Sequence, residues 1–314
     1  RNGWDIDPSL MSFSLGVVQS ISAMVKLFTP EGGSVLIQTP VYSEFYDMTE
    51  AWNRKVLENP FVEKDGRWEM DWADFEAKLA EADLFLLCSP HNPLGIVWTP
   101  EELRRMVELC IKHRVVLFSD EIHSDLIFHG KRHTPTASVS DEAARYVVTG
   151  ISGTKTFNLA GLCYASIIIP NDEVRAKFQK QMGLQAFMHI ERFGPVAHEA
   201  AYRHGAEWLE ELIQVIKGNY EYVRDFFAQH FPGVVVTELE GTYLVWCDFR
   251  CFGMSDADMK VFLTDECMLY LDNGTDFGAA GSGYQRINVA CPRKTLADAL
   301  DRFYQAAKKR GMAR

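Results

Sequence analysis

The chain has 314 residues, 47% of them hydrophobic and 24% charged, with a formal net charge of −11. That much apolar material fills a large core shared between domains. The acidic balance, with no Lys/Arg run longer than Lys308-Lys309-Arg310, argues against a nucleic-acid backbone as partner, and no apolar run approaches the roughly 20 residues that span a bilayer.

In chain order, Gly16-Val17-Val18 opens an apolar-periodic helix reaching to about Phe28. Glycine at a helix start lets backbone N–H groups approach an anion, with the helix dipole in support. Val35–Gln38, Leu84–Ser89, Val115–Ser119, Tyr146–Thr149 and Ala165–Ile169 read as buried strands, nearly continuous apolar runs of the kind found when both faces of a parallel sheet are covered. Between two of them, Thr99-Pro100-Glu101-Glu102 carries an N-cap, a proline at the first helical position and a capping box, followed by the apolar stripe Leu103, Met106, Val107, Cys110 and Ile111. After about residue 205 the texture changes: a long helix over Trp208–Phe227, strands at Val234–Glu238 and Tyr243–Asp248, and a final helix over Leu296–Lys309. The pattern predicts an α/β protein with a mostly parallel central sheet, helices on both faces, and a smaller C-terminal α+β domain. The domains are expected at 1–206 and 207–314, although no low-complexity linker marks the boundary.

The seven cysteines are odd in number and scattered, and the closest pair, Cys247 and Cys251, lacks metal or redox spacing. They read as small hydrophobes of a reducing compartment, the cytoplasm. The chain begins on Arg1 and not Met, which leaves a preceding segment, with or without a targeting signal, open.

Four features fall where open α/β sheets bind ligands, at strand C-termini or helix N-termini. Gly16-Val17-Val18 is one. Pro90-His91-Asn92-Pro93-Leu94-Gly95 fixes a rigid turn after a strand, so Asn92 is either an Asx-turn residue or an amide donor to a ligand. Ser119-Asp120-Glu121-Ile122-His123 closes the next strand, and an acid there needs a cation, a salt bridge or a cap. A metal held by Asp120, His123 and Asp125 fits no recognised ligand pattern. The stretch Gly150 to Leu162 contains Lys155 with Ser152 and Thr154 beside it; a P-loop needs glycine directly before the lysine, where Thr154 stands.

Taken in order, these motifs, with Arg286 in Gln-Arg-Ile-Asn-Val-Ala, resemble the fold-type I pyridoxal-phosphate (PLP) enzymes of aminotransferase class I and II across essentially the whole chain. Ser89-Pro90-His91-Asn92-Pro93, Ser119 to His123, Lys155 to Leu162 and Gly241-Thr242-Tyr243-Leu244 resemble more narrowly the cystathionine β-lyase (C–S lyase) branch. The resemblance implies a catalytic set of Lys155, Asp120 and Tyr42. Lys155 would form the Schiff base with PLP and shuttle a proton. Asp120 would pair with the pyridine nitrogen, Asn92 would bond ring O3′, and the Tyr42 ring would stack on the cofactor. His123 stands where many relatives have a tyrosine and would bring a protonatable ring. Gly16 and the Val17 and Val18 amides, with Ser152 and Thr154, would hold the phosphate. Arg286 would grip the substrate carboxylate, with Asn92 as a further substrate-binding residue.

Cys163 departs from the pattern, since many aminotransferases place a phosphate-binding arginine there. Relatives also carry a further N-terminal segment that contributes to the substrate site. The implied reaction is β-elimination from a sulfur amino acid, giving a thiol, pyruvate and ammonia. Transamination to a 2-oxo acid uses the same residues, and a regulatory partner-binding role is the reading from another class. A homodimer with a small-molecule amino-acid substrate, and no metal, completes the expectation.

Overall fold

The computed structural model describes residues 2–64, 67–184 and 192–313. Eight strands form the larger sheet: β1 (Met11–Ser14), β2 (Ser34–Thr39), β3 (Lys55–Lys64), β4 (Arg67–Met70), β5 (Leu84–Cys88), β6 (Val116–Asp120), β7 (Val147–Ile151) and β8 (Ala165–Ile168). Their order is β1-β8-β7-β6-β5-β2-β3-β4. The run from β7 to β3 is parallel, so β2, β5, β6 and β7 all end on one edge. Register aligns Cys88 with Asp120 and Asp120 with Gly150 there, which brings three loops to one place.

The apolar runs of the central strands are explained by two packed faces. Phe85, Leu87 and Leu117 join Phe75, Leu103, Met106, Val107 and Cys110 from the helices Trp72–Leu79 and Pro100–His113. On the other face, Leu84, Leu86, Cys88 and Phe118 join Val17, Ile21, Met24, Val25 and Phe178, from the helices Val17–Phe28 and Asp172–Leu184. The capping box at Thr99 is complete: its hydroxyl accepts from Glu102 N–H at 3.2 Å, and the Glu102 carboxylate accepts from Thr99 N–H at 2.8 Å.

One strand departs from the expected direction. β8 runs antiparallel to β7 and to β1. Burial on both faces produces the same apolar run in either direction, so composition could not tell them apart. β1, β3 and β4 lack such runs and are not predicted. Pro60, in β3, pairs with Thr39, and from Phe61 onward β3 pairs with β4. The missing N–H thus falls where the strand changes partner.

A second sheet is antiparallel, in the order β11 (Asp272–Asn273), β12 (Tyr284–Asn288), β10 (Leu244–Asp248), β9 (Val235–Val236). The strand expected over Val234–Glu238 shortens to Val235–Val236. Alternation along β10 and β12 serves two layers. Val245, Cys247 and Ile287 pack with Ile216, Tyr220, Val223, Phe227, Leu300 and Phe303 of the helices Ala206–His230 and Arg293–Lys309, while Trp246 and Tyr284 turn into the core that contains Phe85 and Leu94. This second face holds Arg286 over the edge of the large sheet. Among the described residues, no helix is long and apolar enough to cross a membrane.

Candidate active site

Loops from that sheet edge, the start of the helix Val17–Phe28 and strand β12 enclose a cavity of about 350 Å³. Gly16, Val17, Val18, Tyr42, Asn92, Asp120, His123, Thr154, Lys155 and Arg286 all line it. Ten of the eleven residues marked out in the sequence therefore share one space.

Ser152 does not line it. Its oxygen accepts from Thr154 N–H at 3.1 Å as the N-cap of the short helix Gly153–Thr156, and its hydroxyl lies 2.6 Å from the Tyr164 carbonyl. Ser152 lines instead a separate pocket with Tyr164, Ser166 and His198. It shapes the turn that carries Lys155 and leaves Thr154 as the hydroxyl facing the cavity.

Asp120 ends β6 as a buried side chain. One carboxylate oxygen accepts from Ile122 N–H at 3.1 Å, and among the described residues no cation is paired with it. Burial pushes its pKa up to about 7, against the hydrogen bond from Ile122 and the charge of Lys155, which both pull down. A carboxylate so placed suits a cationic ligand nitrogen. Lys155 Nζ has no hydrogen-bond or ion-pair partner among the described residues, which leaves a primary amine available to a carbonyl.

Asn92 is tied down on three sides. Its backbone N–H reaches Cys88 Sγ at 3.3 Å, its carbonyl accepts from Tyr42 N–H at 3.1 Å, and its Oδ1 accepts from Arg286 Nη1 at 2.8 Å. The side-chain amide NH2 is left as a donor. The Tyr42 hydroxyl is pushed up to about 12, chiefly by burial and then by Glu44 and Asp120, so it stays protonated. His123 is buried edge-on to Tyr243, with ring centroids 5.6 Å apart, and its Nδ1 has no partner. Burial, then the charges of Lys155 and Arg286, hold its pKa at about 3. The protonatable ring expected there is thus a neutral imidazole at ordinary pH.

The helix Val17–Phe28 has no side-chain cap and no acid in its first turn. A Cβ built on Gly16 would meet nothing within 4 Å, so the uncapped amides open on free space. Asp125 is turned elsewhere, accepting from Thr156 Oγ1 at 3.0 Å and the Tyr202 hydroxyl at 3.1 Å, so Asp120, His123 and Asp125 do not converge as metal ligands. Sequence reasoning does not single out Cys88, which lines the cavity, or Asp272; Ile122, Ala160 and Asn288 line it as members of the quoted motifs. Tyr243 also lines it, and its signal was present in the Gly241-Thr242-Tyr243-Leu244 motif.

These features, an amine sharing one cavity with a buried acid, an uncapped helix start and an arginine, define a member of the aminotransferase class I and II family, whose model matches residues 2–303. The chain belongs to that family, and to its C–S lyase branch. It is 42% identical to cystathionine beta-lyase PatB of Bacillus subtilis (strain 168) over 308 residues, covering 98% of this chain and 80% of that protein. Protein MalY of Escherichia coli (strain K12) is 32% identical over 294 residues, covering 93% of this chain and 75% of that one. Cystalysin from Treponema denticola, whose crystal structure contains pyridoxal 5'-phosphate, superposes with a TM-score of 0.96 at 36% identity, covering 98% of this chain and 79% of that one.

Proposed function

We propose that this chain is a PLP-dependent C–S lyase that removes the β-substituent of a sulfur amino acid, giving a thiol, pyruvate and ammonia. The observation that carries the PLP chemistry is Asp120, a buried acid with no cation partner among the described residues, in one cavity with the unpartnered amine of Lys155 and the fork of Arg286; the likeness to cystathionine beta-lyase PatB favours β-elimination over transamination, which uses the same residues.

The residues fit the cofactor group by group. The uncapped amides at Val17 and Val18, with Thr154, suit the phosphate. Asp120 suits the ring nitrogen, the free Asn92 amide suits the ring oxygen, and Lys155 Nζ suits the aldehyde. PLP, when bound, supplies an electron sink for the bond broken at Cα. Asp120 would hold a proton on the ring nitrogen. Lys155 Nζ is the base for the Cα proton and carries it toward the departing sulfur. The Tyr42 ring bounds one side of the cavity, and Arg286 fixes the substrate through its carboxylate. His123, neutral and with an idle Nδ1, adds a polar contact without adding charge.

The reading includes two domains, 1–206 and 207–314, and a homodimer. Phe193 and Val196, 74% and 66% exposed on the helix Phe193–His204, support an association surface. Seven free cysteines suit a reducing compartment such as the cytoplasm.

The test is product formation by purified holoenzyme. Pyruvate released from cystathionine or cystine without any added 2-oxo acid supports the lyase, and turnover strictly dependent on a 2-oxo acid refutes it. A visible absorption band that disappears in Lys155→Ala places the cofactor on that lysine.

A further inference from the structure

The arginine of the site is itself held by a partner that none of the sequence motifs contains. Asp272 in β11 lies directly opposite Arg286 in β12, and facing residues of neighbouring strands share a face of the sheet. Asp272 Oδ2 accepts from Arg286 Nε at 3.0 Å and from Nη2 at 2.7 Å. Nη1 donates to Asn92 at 2.8 Å, and the guanidinium lies 4.5 Å over the Phe277 ring centroid. We propose that Asp272 is a positioning residue for substrate binding: it holds the side edge of the Arg286 guanidinium so that the remaining N–H groups present a fixed two-pronged grip to the substrate carboxylate. The proposal rests on Arg286 being the carboxylate anchor.

The donor inventory supports this. An arginine carries five N–H groups. Asp272 takes the Nε–H and one on Nη2, and Asn92 takes one on Nη1, which leaves one N–H on each terminal nitrogen. A carboxylate needs two such donors for a bidentate pair. Without Asp272 the stacking on Phe277 and the single bond to Asn92 still permit the guanidinium to turn in its own plane. The carboxylate would then meet a fork of variable aim.

Geometry outweighs charge in this arrangement. The Arg286 side chain is 13% exposed but that of Asp272 is 44% exposed, so solvent screens the negative charge that would otherwise weaken the attraction of Arg286 for a second carboxylate. The amide oxygen of an asparagine at the same position can accept the same two N–H groups without any charge.

The experiment compares Asp272→Ala, Asp272→Asn and Arg286→Ala holoenzymes, each checked for an unchanged thermal melt. Two readouts are used: the KM and kcat for cystathionine, and the dissociation constant for L-alanine against that for ethylamine, its carboxylate-free counterpart, by absorbance titration. Asp272→Ala is expected to raise KM and the L-alanine constant by about tenfold, the scale of one charge-assisted hydrogen bond, with kcat and the ethylamine constant unmoved. Asp272→Asn should restore both to within about twofold of wild type, since its oxygen keeps the geometry. Equal losses in the two Asp272 variants, tighter binding in either, or no change in both while Arg286→Ala weakens L-alanine would overturn the positioning role alone. L-Alanine binding that survives Arg286→Ala would sink the carboxylate-anchor reading and the proposal with it.

Discussion

Replacing Asp120 by Asn tests the electrostatics of the site before any chemistry is involved. In the cofactor-free protein the carboxyl titrates at about 7 instead of 3.8, because burial disfavours its charge. A group whose folded pKa is raised stabilises the fold below its unfolded pKa and loses that contribution as pH rises through the folded value. Ionising Asp120 in the folded protein therefore costs stability progressively between about pH 4 and pH 7. At about 1.4 kcal/mol per unit, the shift sets a ceiling of about 4 kcal/mol at pH 8. Asparagine keeps the bond from Ile122 N–H and has nothing to ionise. Cofactor-free Asp120→Asn is thus expected to be more stable than wild type at pH 8 and equal to it near pH 4. The difference between the two proteins is the quantity to measure, by urea denaturation across that range. His91 and His123, whose pKa values burial lowers to about 4 and about 3, make both proteins lose stability as pH falls below 6.5, so they cancel in the difference. Saturating PLP should reverse the order at pH 8, because a cationic ring nitrogen gives the carboxylate its partner. A difference that is flat from pH 4 to pH 8, or a wild type that gains on the variant as pH rises, would refute the argument.

Three further outcomes follow from packing and hydrogen bonds. Thr99→Ala removes half of the capping box on the helix Pro100–His113 and should lower the unfolding free energy by about 1 kcal/mol in urea, with Thr99→Ser close to wild type. Glu121, buried next to Asp120, accepts from Thr136 N–H at 2.8 Å, from Ser119 Oγ at 3.0 Å and contacts His133 Nε2 at 2.7 Å. Glu121→Ala strands these groups away from water and should cost about 3–5 kcal/mol by the same assay, with Glu121→Gln losing less. A Cβ on Gly274 would fall 1.8 Å from the Gly281 carbonyl oxygen, so Gly274→Ala must displace the turn that carries Phe277 beneath Arg286; KM for cystathionine should rise in step with the loss of thermal stability, whereas Gly253→Ala, at a solvent-facing turn, should leave KM alone.

The parts of the fold legible in the sequence are those where local chemistry and burial agree. β5 and β6 read as continuous apolar runs because both faces are covered, and the helix after Thr99 carries its start signal in four residues. β3 was not legible. Its ten residues include Glu58, Asn59 and Pro60, and it is held by β2 on one stretch and β4 on another, a long-range arrangement with no local periodicity. The direction of β8 was hidden for the same reason, since an apolar run records burial and not orientation.

The site divides along the same line. Asp120, Asn92 and Lys155 stand in short stretches whose turn and strand-end residues already fix where they point, and all three meet in one cavity. Asp272 had no such context: its relation to Arg286 is a cross-strand register, and a two-residue strand leaves no periodic trace to read. Ser152 is the instructive contrast. Ser152 and Thr154 both offer hydroxyls beside the lysine. In this structure the Ser152 oxygen caps the short helix, accepting from Thr154 N–H at 3.1 Å, and its hydroxyl reaches the Tyr164 carbonyl at 2.6 Å, while Thr154 lines the cavity. Capping chemistry applied to Ser152-Gly153-Thr154 separates the residue that builds the turn from the residue the turn presents. Residue type alone gives the two the same role; position relative to the helix start gives them different ones.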